Sequence, residues 1–367
     1  MKVAFFIGAL RTGGAESLVC DVCRKRELVP FEICCIYRKD GDYSEAYNAT
    51  GVPMMKVPRE GSMLKYLLSL RKTILRNHVD IVHAQTPSNA IVSFLALLFT
   101  RVRIVVTLHG FSFAKDPKYY QRWVYRICRK LICVSNYEKE FYAERWHLPR
   151  QNKLRVVYNG IEFSKLDQPV PDPECPVVPD RTSLNMVMVG SFRDGRSQSF
   201  VCKVAHALDV RGVPFNLFFV GRREEKEPRR YDDCVRYCNE HLLMDKVHFL
   251  GNRTDLPYLL KQMDLFIYAS EHDTFGIAVL EALASGLPVV VNDWVVMQEI
   301  TGNGKFAAIY KTDDVEDCVS KVMSLKDKKE TEPVGFEASN LRIAAEVREK
   351  YSIENHIHNL HEIYLSC

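Results

Sequence analysis

The 367 residues suffice for about two or three domains, and a hydrophobic content of 47% with 26% charged residues is ordinary for a globular protein. No apolar run approaches the roughly 20 residues of a membrane span, the opening "MKVAFF" reads as a strand and not a secretion signal, and twelve cysteines without such a signal read as reduced cytosolic thiols. The net charge of +4 hides a split: residues 1–165 carry 27 Lys and Arg against 14 Asp and Glu, and residues 166–367 carry 23 against 32, so the first half is expected to meet something anionic.

In chain order, Val3 to Ile7 make a strand, followed by a glycine turn, "GALRTGGAES", and a helix over 14–27. Gly8 and Gly13 have the spacing of a Walker loop, but Gly14 and Ala15 stand where that loop needs Lys and Ser or Thr. The dinucleotide fingerprint G-x-G-x-x-G does not fit either. A turn that brings backbone N–H groups near an anion, and a plain strand-to-helix turn, both remain open. Strands are read at 31–37, 79–85, 103–110 and 130–135, and helices at 62–77, 88–99 and 116–130. The longest apolar run, 90–99, is read as buried. Strands alternating with helices predict a parallel sheet covered on both faces.

Five prolines between Pro169 and Pro179 break the pattern and mark a linker over 165–182. The theme then restarts, with strands at 184–192, 215–221, 247–251, 265–270 and 287–293, helices at 197–211 and 276–285, and a helical C-terminus over 338–367. Two doubly wound halves in tandem would bind ligands at the carboxyl ends of their strands, in a cleft between the domains. Neither Cys20 with Cys23 nor Cys234 with Cys238 is read as a metal site.

The basic segments 62–78 and 115–130 carry two readings. The first groups Met63, Leu67, Ile74 and Leu75 on one face, and the second sets Arg122, Arg126 and Arg129 against Tyr119, Trp123 and Ile127. Such a mix suits a membrane interface and equally suits solvated charges over a core stripe. No nucleic-acid motif accompanies the charge.

The decisive stretch is "SEHDTFGIAVLEALASGLPVVV", 270–291. Gly276 starts a helix, so the N–H groups of Phe275, Gly276, Ile277 and Ala278 are expected at a helix N-terminus, an anion site. Asp273 lies before the helix and Glu281 within it, which places one carboxylate on each side of a bound diphosphate. Carboxylates accept hydrogen bonds from sugar hydroxyls, so a sugar–diphosphate–ribose ligand matches.

This stretch resembles the E-x7-E motif of the retaining glycosyltransferases of family 4, which have the GT-B fold. "GALRTGGAE", "VVTLHG", "VVYNGIE", "VGSFRDGRSQ" and "VHFLGNRTDLPYLLKQMDLFIYAS" resemble further family segments in the expected order. The resemblance implies an α/β chain of two Rossmann-like doubly wound domains facing across a cleft. An acceptor-side domain would span 1–165, a donor-side domain 166–345, and a helix over 346–367 would pack back on the first. Glu281 would hold the nucleotide ribose, and Asp273 would sit beside the donor sugar. Thr274, Phe275, Gly276 and Ile277 would offer backbone donors to sugar and diphosphate. Arg196 would neutralise the diphosphate, His109 would face the donor sugar, and Gly13 and Gly14 would approach the donor phosphates or the acceptor. Two positions depart from the pattern. Asp273 replaces the usual Glu, and Ser191 replaces an arginine for which Arg193 is the substitute.

The expectation is a cytoplasmic retaining transferase, at the inner membrane face if the basic half meets lipid. It would move sugar from a UDP- or GDP-linked donor to a glycan or lipid-linked glycan in cell-surface polysaccharide synthesis, without metal, cofactor or nucleic acid. The alternatives are a GT-B epimerase or phosphorylase, and a non-catalytic nucleotide- or glycan-binding subunit.

Overall fold

The computed structural model describes residues 1–11, 13–110, 119–147, 153–168 and 180–367. The prolines of the predicted linker and the start of the predicted basic helix fall outside these residues, as do the side chains of residues 119–122. The chain forms two units, Met1–Glu162 with Tyr351–Cys367, and Phe163–Lys350.

The first unit holds a seven-stranded sheet: β1 (Lys2–Ala9), β2 (Glu32–Lys39), β3 (Met54–Lys56), β4 (Ile81–Ala84), β5 (Arg103–Leu108), β6 (Lys130–Cys133) and β7 (Leu154–Val156). Their order is β3-β2-β1-β4-β5-β6-β7, all parallel. The second unit's parallel sheet comprises β8 (Leu184–Val189), β9 (Phe215–Val220), β10 (Val247–Gly251), β11 (Leu265–Tyr268), β12 (Val289–Asn292) and β13 (Ala308–Tyr310), ordered β10-β9-β8-β11-β12-β13. Strands covered on both faces need continuous apolar runs. Val3 to Ile7 and Leu265 to Tyr268 are such runs, each residue about 1% exposed or less. In each unit the winding reverses once, between β1 and β4 and between β8 and β11, and such a reversal opens a crevice beyond the strand ends.

The helices of the first unit are α1 (Gly14–Arg24), α2 (Ser44–Asn48), α3 (Met63–Arg76), α4 (Pro87–Ala96), α5 (Tyr119–Ile127) and α6 (Asn136–Arg145). Those that follow are α7 (Ser164–Asp167), α8 (Gln198–Val210), α9 (Pro228–Glu240), α10 (Leu256–Lys261), α11 (Ile277–Ala284), α12 (Val295–Ile300), α13 (Val315–Thr331), α14 (Pro333–Tyr351) and α15 (Ile353–Leu365). The helical C-terminus is thus two helices, broken where Ser352 takes an extended backbone and caps α15 through Asn355 N–H. Ile353, Ile357, Leu360, Ile363 and Tyr364 of α15 join the core of the first sheet.

Three expected faces differ. The buried stripe of α3 is Tyr66, Leu70 and Ile74, while Met63 and Leu75 are exposed. The tyrosine ring supplies the apolar bulk at the first of these positions. Trp123 of α5 is exposed, and Val124 fills the core instead. The run 90–99 does not stay buried to its end: α4 stops at Ala96, and Phe99, at φ 62°, is fully exposed. No helix among the described residues is long and apolar enough to cross a membrane.

Candidate active site

The adjacency of β8 and β11 brings together residues eighty positions apart. The segment after β8 carries Arg193 and Arg196, and the segment after β11 carries Asp273. Arg196 pairs with Ser270 as an isolated antiparallel bridge, which ties the two segments. Gly190 admits the Arg196 side chain beneath it, since a Cβ there would stand 2.3 Å from Arg196 Nη1.

Asp273 is buried and its backbone is held on both sides. Its N–H donates to Ser270 Oγ at 3.1 Å, and its carbonyl accepts from Trp294 Nε1 at 3.0 Å. Ser270 is in turn held by Asn292, which accepts from its N–H at 3.1 Å and donates to its carbonyl at 2.8 Å. The carboxylate faces two cations and a phenol. Arg193 Nη2 lies 3.5 Å from Oδ1, Arg196 Nε lies 3.7 Å from Oδ2, and the hydroxyl of buried Tyr268 donates to Oδ2. Burial pushes the Tyr268 phenol well above its usual range, so it stays a neutral donor.

Gly276 is the N-cap of α11 at φ 88°, a left-handed backbone that glycine adopts without strain. A Cβ here would also meet Met297 Cε at 2.8 Å and Ile300 Cδ1 at 3.0 Å. No side chain caps the helix, and Val279 and Leu280 are the first residues to donate within it, both to the Gly276 carbonyl. Phe275 is buried. Thr274, Ile277 and Glu281 are half-buried, and the rest of α11 packs Val279, Leu280, Ala282, Leu283 and Ala284 inward. An uncapped helix N-terminus beside Arg193 and Arg196 is a setting for a diphosphate.

The remaining predicted residues lie in the first unit. Gly13 is the extended N-cap of α1 and Gly14 its first residue. Glu16 folds back on this end, its Oε2 2.5 Å from where a Gly13 Cβ would stand, so α1 carries its own anion at its positive end. His109 follows β5, and its Nε2 is 2.8 Å from Gln85 Oε1. Burial and the neighbouring His356 lower its pKa to about 4, so the ring is neutral at pH 7. Among the described residues no group of three His, Cys, Asp or Glu is arranged to hold a metal.

Tyr268, Ser270, Asn292 and Trp294 complete the site; the first two lie in segments that resemble the family, but no role was legible for any of the four. Tyr268 and Asn292 end central strands that read only as core, and Trp294 opens the turn into α12.

The model of glycosyltransferase family 4 matches residues 12–165, and that of the glycosyl transferases group 1 matches residues 178–334. The chain belongs to the family 4 glycosyltransferases. Its similarity to a UDP-Gal:alpha-D-GlcNAc-diphosphoundecaprenol alpha-1,3-galactosyltransferase of Escherichia coli is 26% identity over 331 residues, 83% of each chain. A GDP-mannose:cellobiosyl-diphosphopolyprenol alpha-mannosyltransferase of Xanthomonas oryzae is 24% identical over 335 residues, 85% of this chain and 83% of the other. Among solved structures, a glycosyltransferase of Rickettsia africae superposes with a TM-score of 0.84 at 18% identity, covering 99% and 97% of the two chains. HepE of Anabaena in complex with UDP gives 0.83 at 17% identity over the full length of both. The fold of this glycosyltransferase is therefore GT-B, built from two parallel α/β domains.

Proposed function

We propose that this glycosyltransferase is a retaining enzyme. It moves a sugar from a UDP- or GDP-linked donor to a hydroxyl of a lipid-linked glycan, in the synthesis of a cell-surface polysaccharide. The observation that carries the reading is the uncapped end of α11 between Asp273 and Glu281, with Arg193 and Arg196 alongside. In this reading Glu281 binds the ribose, and Thr274 to Ile277 meet the sugar and diphosphate. Arg196 and the helix end stabilise the charge that builds on the departing diphosphate. Asp273 borders the donor sugar and His109, neutral at pH 7, faces it. The leaving phosphate takes the acceptor proton, and transfer occurs on the face the diphosphate leaves.

The acceptor class is supported by the two relatives above, both named for sugars on a diphosphate-linked prenol. The same reading takes Gly13 and Gly14 to the donor phosphates or the acceptor. It also takes the exposed Leu64, Leu68 and Phe99, with Lys65, Lys72 and Arg101 among them, to an anionic membrane surface at the cytoplasmic face.

The test is thermal unfolding with UDP, GDP, ADP and CMP and their sugars, in EDTA. A nucleotide at 100 times its Kd stabilises by about 2.7 kcal/mol. Selective stabilisation by one nucleotide and one of its sugars is expected. No shift with any of them refutes the donor site.

A further inference from the structure

The aspartate at position 273 is one methylene shorter than the glutamate of the family pattern, and a tyrosine hydroxyl stands directly beyond its carboxylate. β11 ends in Tyr268, wholly buried, and its hydroxyl reaches the Asp273 carboxylate. The tyrosine cannot withdraw. Its carbonyl accepts from the Tyr310 hydroxyl at 3.0 Å, and its ring packs on Phe266 with centroids 5.9 Å apart. Asp273 cannot withdraw either, since Ser270 and Trp294 hold its backbone.

Lengthening a carboxylate by one methylene advances it about 1.5 Å. From a fixed backbone that step runs into the Tyr268 hydroxyl or into Arg196. A phenylalanine at 268 would vacate one heavy atom, the same number that a glutamate at 273 would add. Close-packed interiors favour such volume-conserving exchanges and resist either half alone.

We propose that Tyr268 is a positioning residue matched to Asp273: its hydroxyl occupies the space of the missing methylene and sets the carboxylate between Arg193 and Arg196. Tyr268 acts through Asp273 and does not touch the donor. The proposal rests on the reading of Asp273 as the carboxylate beside the donor sugar. It adds that this site is built for an aspartate and that the two side chains are matched in volume.

The experiment is a double-mutant cycle on the full chain, Tyr268→Phe, Asp273→Glu and both together. Each variant is measured for thermal unfolding without ligand, for UDP affinity, and for kcat and KM on UDP-glucose, UDP-galactose and GDP-mannose, with synthetic polyprenyl-diphosphate sugars as acceptors and water as the acceptor of slow donor hydrolysis. Each single change is expected to lower kcat roughly 10- to 100-fold, the scale of a misplacement of about 1 Å. UDP affinity should stay within about threefold, because Glu281 and the helix end serve the nucleotide in this reading. The double variant is expected to recover to within about fivefold of wild type and to unfold nearer to it than Asp273→Glu does.

Losses in kcat that multiply in the double variant overturn the positioning role. A Tyr268→Phe that lowers only the unfolding temperature, with kcat intact, overturns it as well. The unfolding cycle decides the packing match whether or not a donor is turned over, and additive changes there overturn it. Failure of the underlying reading looks different: no donor is turned over by wild type, or Glu281→Ala leaves UDP affinity unchanged.

Discussion

Acid should loosen the first unit well above the pH at which carboxylates titrate, and the slope can be worked from three histidines. His83 is 2% exposed, with Nδ1 2.6 Å from the Tyr364 hydroxyl and Nε2 2.7 Å from Thr107 Oγ1. His356 Nδ1 lies 2.7 Å from the Tyr158 carbonyl, which requires a proton on that nitrogen. Burial lowers the pKa of His83 to about 3, and those of His109 and His356 to about 4. In the unfolded chain all three return to about 6.5. Between pH 6.5 and 4 the unfolded state therefore binds three protons that the folded state refuses, and stability falls as pH falls.

Glu138 opposes them. Its burial raises its pKa to about 8, against about 4.3 unfolded, so in the same window the folded state holds one proton that the unfolded state has lost. The net difference is about two protons, or about 2.5 kcal/mol lost per pH unit on going from pH 6 to pH 5. That is a large part of the roughly 5–15 kcal/mol of a domain. Urea unfolding at a series of pH values, followed through the buried Trp146, measures the slope for this unit. His356→Gln, which keeps an N–H donor for the Tyr158 carbonyl, should reduce the slope by about one proton. Glu138→Gln should steepen it by about one proton and raise stability at pH 7 relative to pH 5. A stability that does not change between pH 6.5 and 5 refutes the argument.

The donor site makes further predictions. Glu281→Ala should abolish stabilisation by the nucleotide that binds, read as the loss of its shift in unfolding temperature, while the ligand-free protein unfolds within a few degrees of wild type. Gly276→Ala should cost about 2 kcal/mol from the left-handed backbone alone, and more if Met297 cannot yield, measurable by urea unfolding. Arg196→Ala should weaken UDP binding more than Arg193→Ala, because Arg196 is the more buried of the two; equal effects in isothermal titration would reverse that ranking. Leu64→Glu with Leu68→Glu should lower sedimentation with phosphatidylglycerol vesicles and leave UDP affinity unchanged, and unaltered sedimentation would remove the membrane surface from the reading.

Much of the architecture is local and therefore legible in the sequence. Apolar runs such as Val3 to Ile7 and Leu265 to Tyr268, separated by helices of period 3.6, specify buried parallel strands because only strands covered on both faces tolerate them. Gly276 before Ile277 marks the start of α11, and the spacing of Asp273 and Glu281 around it needs no tertiary information. Partners across the fold were not legible. Arg193 meets Asp273 because β8 lies beside β11, a strand order that periodicity does not encode. Tyr268 looked like one more core residue of a strand, since the direction of its hydroxyl depends on the backbone of a loop that Ser270 and Trp294 hold. The neutral histidines, the exposed Phe99 and the choice of Tyr66 over Met63 for the core of α3 are likewise decided by what packs above each residue. A chain's own periodicity sets which elements form; the desolvation and close packing that give a side chain its charge, its partner and its reach arise only when elements distant in sequence come together.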